Sequence, residues 1–198
     1  MRKKLRVLVW SVLVVLFLAA VGCWWLRNAA GFSARQEPSA VEAMVARNAR
    51  MMAMPVEAKE LRNPVSLTPE IMTEARRHFA DHCAMCHAND GSGSAEMGQN
   101  LYPKAPDMRQ SPTQALSDGE IYFIIHNGIR LSGMPAWGAE GDRDHDHESW
   151  ALVYFIRHLP KLSPEEVREM EKFNPQSQAD REEQREEEDF LNGKPAKK

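Results

Sequence analysis

Apolar positions along the chain form one long block near the N-terminus and then short clusters separated by polar punctuation. From Val7 to Leu26 the sequence is apolar and almost uncharged, and Arg2, Lys3, Lys4 and Arg6 precede it. About 20 such residues cross a bilayer as a helix, and Trp10, Trp24 and Trp25 suit its interfacial belts. The basic cluster ahead of the run predicts a cytoplasmic N-terminus, with everything after Leu26 exported. Next, Ser39-Ala40-Val41-Glu42 reads as a capping box. Val41, Met44, Val45, Asn48 and Met52 follow at helical spacing, predicting a short spacer helix near 39–52. Pro55 to Leu67 has little periodicity and reads as an extended linker or strap.

A second series of elements begins at Thr68, an N-cap with Pro69 at the first helical position. Ile71, Ala75, His78, Phe79 and His82 recur at three- and four-residue spacing, so a helix runs on toward Cys83. From Asn89 to Gln110 the glycines at 91, 93 and 98 and Pro103 and Pro106 predict a loop. The capping box Ser117-Asp118-Gly119-Glu120 starts a helix with Ile121, Ile124 and Ile125 on one face, stopped near Gly128. After a loop to His147, Trp150 to Leu159 reads as an apolar helix ended by Pro160. Ser163-Pro164-Glu165-Glu166 caps one more, to about Phe173. No strand pattern emerges, so the fold class is all-α. The predicted organisation is an anchor over 1–27, a spacer and linker over 28–67, a helical domain over 68–173, and a charged, disordered tail over 174–198.

Charge changes this picture. The chain of 198 residues has a formal charge of -3, but residues 1–65 carry 10 Lys/Arg against 4 Asp/Glu, and residues 66–160 carry 7 against 13. An acidic domain excludes nucleic acid, whose binders need a basic face, and points to partners with a basic docking patch. Few large side chains remain for a core of this length. A bound apolar group would supply the missing bulk, and without it the domain should fold poorly.

Chemistry concentrates at Cys83-Ala84-Met85-Cys86-His87, the attachment signature of a c-type haem. Two cysteines at this spacing reach both vinyl groups of one porphyrin, and the histidine after them can ligate the iron. A zinc site would need more ligands, and the remaining cysteine, Cys23, lies in the apolar leader. A thiol redox pair would follow a strand, and none precedes Cys83. For the second iron ligand, Met134 in Gly133-Met134-Pro135 is preferred. The proline holds its backbone extended, and the glycine allows close approach to a flat group. Met97 and Met108 are rivals by loop position alone. His78, His82, His126 and His158 read as surface or helix-capping residues. The run Asp142–Glu148, with His145 and His147, reads as a solvated acidic turn, with a divalent metal as its alternative. Ala20-Val21-Gly22-Cys23 resembles a lipoprotein cleavage box, an alternative to a retained helix.

Together these residues resemble the class I monohaem cytochrome c family in its bacterial, membrane-anchored form. The resemblance covers about residues 68 to 160. It is carried by the CxxCH run, Asn89-Asp90-Gly91-Ser92-Gly93, Tyr102 to Met108, Ser117 to Gly128, Gly133 to Trp137, and the closing helix at Trp150. It implies a small cytochrome c-like haem domain behind an N-terminal transmembrane helix, with one covalent haem c. Cys83 and Cys86 would hold the porphyrin, His87 and Met134 the iron, and Tyr102 and Trp137 would line the pocket, with ordinary core packing as an equal reading for these two. The first and last helices would cross beside the haem edge. The function implied is electron transfer on the periplasmic face of the inner membrane, within the respiratory chain, between redox partner proteins. A subunit of a larger respiratory or dehydrogenase complex is the alternative, and a haem enzyme or gas sensor ranks third.

Overall fold

A computed structural model describes residues 2–28, 33–139, 141, 146–176, 182, 185, 191 and 192. The turn residues Asp142–His145 and most of the 174–198 tail fall outside the described residues. Among the described residues every regular element is helical. The chain divides into two compact units, Met1–Gln36 and Glu37–Lys198.

The first unit is one helix, α1 (Arg2–Asn28), whose most apolar window has a mean hydropathy of 2.6. At ~1.5 Å per residue its length exceeds the ~30 Å of a hydrocarbon core. None of its side chains is buried, and its apolar character runs around the whole helix, as lipid contact requires.

The second unit opens with α2 (Ala40–Ala53), capped as expected by Ser39, whose side chain accepts from the Glu42 N–H. Of the two readings of residues 55–67, linker or strap, the strap is the one that fits. Residues Val56–Glu60 form a short helix, α3, with Ala58 buried. Its carbonyl lies so near Gly119 that a Cβ there would approach to 2.0 Å. Asn63 Nδ2 donates to the Trp150 carbonyl at 2.9 Å, and the Tyr154 hydroxyl to the Val65 carbonyl at 2.7 Å. Residues 54–65 are therefore a strap on the domain surface, fixed by burial and main-chain bonds that local periodicity does not encode.

Helix α4 (Pro69–His78) starts at Thr68, whose hydroxyl accepts from the Ile71 N–H. It passes into a π-helical turn, Phe79–Cys83, and then α5 (Ala84–His87). The wider turn rotates the helix's face and is commonly found at functional sites. Short helical turns α6 (Glu96–Gln99) and α7 (Ser111–Gln114) interrupt the long loop. Helix α8 (Asp118–Asn127) carries a complete capping box and stops at Gly128. Helix α9 (His147–His158) runs into a 3-10 turn, Leu159–Lys161, and α10 (Pro164–Glu171) follows behind its own capping box.

Helices α4 and α9 pack directly on each other, with Phe79 against Phe155 at a centroid distance of 4.9 Å. Ala80, Val153, Phe155, Leu159 and Met170 are buried here, together with Ile121 and Ile125 of α8. Each fully buried side chain of this kind contributes roughly 1.5–3 kcal/mol relative to exposure. Arg157 joins α9 to the turn before α8, donating to Asp118 Oδ1 at 2.9 Å and to the Gln114 carbonyl at 2.7 Å.

Candidate functional site

The π turn delivers Cys83, and α5 places Cys86 and His87 one turn on. Neither cysteine is in a disulfide, and both are half-buried. Burial, with a smaller effect from Cys86, pushes the Cys83 thiol up to about 12, and burial also raises Cys86. At neutral pH these are protonated thiols without a disulfide between them, available for thioether formation.

His87 is held from behind by the loop that follows it. Gly93 N donates to the His87 carbonyl at 2.8 Å, and Gln99 Nε2 to the Gly93 carbonyl at 2.6 Å. Gly93 lies at φ +74°, a left-handed conformation that disfavours any side chain. At Gly98 a Cβ would fall 1.9 Å from the Cys86 carbonyl oxygen, so α6 and the CxxCH segment touch main chain to main chain. The loop is closed at its base by Arg109, which binds Asp107 through two nitrogens at 2.9 Å and Asp90 at 2.8 Å. Hydrogen bonds from Arg109 hold the Asp107 carboxyl down to about 2.

The His87 Nδ1 atom is buried and makes no hydrogen bond within strict geometry. Burial lowers the imidazole pKa, and the nearby Pro106 carbonyl opposes the shift. The ring is thus neutral at pH 7, the form in which imidazole ligates a metal. An iron ligand bound through one nitrogen commonly leaves the other to a carbonyl, and Pro106 is placed for that. Two free thiols, a neutral buried imidazole and a tightly backed loop fit covalent haem.

On the other side of the sequence, Met134 is half-buried and packs against the domain core. Its loop closes on itself, with Ile129 N donating to the Met134 carbonyl at 3.1 Å and Met134 N to Ser132 Oγ at 3.2 Å. Its rivals stand differently. Met108 is a buried core residue, and Met97 is half exposed on α6. Trp137 remains 39 % exposed and meets the His82 ring edge-on at 5.4 Å. The Tyr102 hydroxyl donates to Glu42 of α2. Neither aromatic ring is buried.

The histidines correct one expectation. His78 and His82 face each other at 4.6 Å beside a shallow pocket of about 150 Å³ with Trp137, Glu148 and Leu152. Among the described residues no group of three or more metal-binding side chains converges. His126, read as a surface or helix-capping residue, is in the last turn of α8 but only 5 % exposed, and its Nδ1 lies 2.6 Å from Asp146 Oδ2. Only the capping aspartate before a helix, 20 residues away, could have signalled this partner.

Residues 70–156 match the family described as cytochrome c oxidase, cbb3-type, subunit III. A search of the curated proteins finds no match to the chain. The matched span holds the CxxCH run, the Met134 loop and the packed pair α4 and α9, with covalent haem c as its cofactor. Residues 70–156 are thus a c-type cytochrome domain, an electron carrier behind an apolar helix long enough to cross a membrane.

Proposed function

We propose that Cys83 and Cys86 bind the haem vinyl groups, that His87 and Met134 ligate the iron, and that the domain transfers electrons on the periplasmic face of a bacterial inner membrane. The bound haem supplies one-electron chemistry between iron(II) and iron(III). This chain's residues hold it rigid, keep the His87 ring neutral and oriented, and close the sixth position against other ligands. The observation that carries the reading is the buried His87 ring, backed by the Pro106 carbonyl, beside two thiols that are in no disulfide. A thioether on the iron favours a relatively high potential. The basic cluster before α1 supports export of the domain. Its acidic charge supports a partner with a basic docking patch. The retained helix α1 would tether it, raising its effective concentration near membrane partners. In this reading the anchor spans residues 1–27, the spacer and strap 28–67, the haem domain 68–173 and the charged tail 174–198.

A second reading is favoured by two observations. The matched family is named for an oxidase subunit, and residues 54–65 are a docked strap instead of a loose spacer. The domain would then deliver electrons inside a respiratory complex. Spectra of the oxidised protein test the ligand assignment. The weak red charge-transfer band of sulfur–iron ligation should be present and vanish in Met134→Ala, but survive in Met97→Ala. A Met134→Ala spectrum unchanged from the parent would refute it. Co-purification from mild detergent separates the readings, because a subunit migrates with a stoichiometric complex and a carrier does not.

A further inference from the structure

The loop bearing Met134 has to be held, because a thioether is a weak neutral ligand and any loop that opens freely surrenders it. The last turn of α8 leaves carbonyls without intrahelical partners. Two of them receive the returning loop, with Trp137 N donating to the Ile125 carbonyl at 3.1 Å and Gly138 N to the His126 carbonyl at 3.0 Å. The His126 ring then lies flat on the loop. A Cβ at Gly138 would come within 1.9 Å of Nδ1 and 2.3 Å of Cε1, so that ring and main chain are already in contact.

His126 is itself fixed from the far side. Its Nδ1 bonds Asp146 Oδ2 at 2.6 Å, with side chains only 6 % and 10 % exposed. Asp146 Oδ1 meanwhile accepts from Ser149 N at 3.0 Å, capping α9. The Tyr122 hydroxyl lies 3.4 Å from the same Nδ1, and its ring stacks on Trp150 at 4.1 Å. The return of the loop is thus pinned to the C-terminus of one helix by a side chain bonded to the N-terminus of another.

We propose that the buried His126–Asp146 pair is a clamp that positions Met134, keeping its loop closed over the sixth coordination position. The pair touches no reacting atom and acts through the loop alone. The proposal rests on the assignment of Met134 as ligand.

A competing ligand tests it, since exogenous imidazole can bind the oxidised iron only when the loop opens, and its apparent affinity scales with the open fraction. The full-length haem-loaded protein in detergent is titrated with imidazole and followed by absorption. Asp146→Ser keeps a good N-cap for α9 but cannot reach His126. It should bind imidazole at least about tenfold more tightly than the parent. His126→Asn, whose amide nitrogen can stand where Nδ1 does, should stay within about threefold of the parent. In a Met134→Ala background, where nothing needs displacing, Asp146→Ser should add no further change. If Asp146→Ser titrates like the parent while Met134→Ala binds imidazole tightly, the clamp is overturned and the ligand assignment stands. If Met134→Ala titrates like the parent, the ligand assignment fails, and the clamp with it.

Discussion

Replacing Phe155 by alanine should weaken the domain more than any single change far from the haem. The ring is wholly buried and meets Phe79 at 4.9 Å with the planes at 54°. Truncating such a phenylalanine costs about 3–5 kcal/mol, from lost transfer energy and from the cavity left behind. Part of that, about 0.5–1.5 kcal/mol, belongs to the aromatic pair itself. Against a total stability of about 5–15 kcal/mol this is a large fraction. The cavity cannot close easily, because Val153, Leu159 and Met170 are already fully packed. Phe155→Leu keeps most of the volume and should cost less than about 1.5 kcal/mol. The thioethers are covalent, so haem content should not change; only the unfolding midpoint moves. Urea unfolding of the haem-loaded protein in detergent, followed by haem absorbance, reads the difference. A loss below about 1 kcal/mol for Phe155→Ala, or one equal to that of Phe155→Leu, would refute the α4–α9 contact.

Gly119→Ala should release the strap, because the added Cβ would sit 2.0 Å from the Ala58 carbonyl. Although alanine gains roughly 1 kcal/mol of helix propensity, trypsin should then cut at Lys59 and Arg62 several times faster, and unchanged proteolysis would count against docking. Asp107 titrates near 2, below its ordinary 3.8, so its contribution is complete above about pH 4 and fades as pH falls toward 2. The carboxylate is partly exposed, so this is at most about 1 kcal/mol. Asp107→Asn should flatten the acid limb of stability against pH, and an unaltered limb would contradict the Arg109 bridge. The double variant Cys83→Ser, Cys86→Ser should lose covalent haem and much of the helical signal of the domain in circular dichroism. Retention of the parental spectrum would show that the haem is not part of the core.

Capping chemistry made several helix starts readable, because Thr68, Ser117 and Ser163 act through bonds three residues away. The all-helical class followed from the same local signals. What stayed hidden depends on residues distant in sequence. Helix α3 is too short to show a period, and it exists where Ala58 can press on Gly119. The π turn has no sequence signature of its own. His126 sits at a helix end, where a solvated cation is the ordinary expectation, and its burial depends on Asp146 arriving from another helix. For the haem residues the opposite holds. The CxxCH spacing is dictated by the porphyrin's own dimensions, so the motif was legible without any fold, whereas Met134 had to be judged by the shape of its loop.

The most direct test is the mass of the denatured, protease-digested protein purified from membranes. The fragment containing Cys83 to His87 should carry the mass of exactly one haem, with neither thiol open to alkylation. An unmodified fragment with two alkylatable cysteines, recovered from cells that load other c-type cytochromes, would contradict the account.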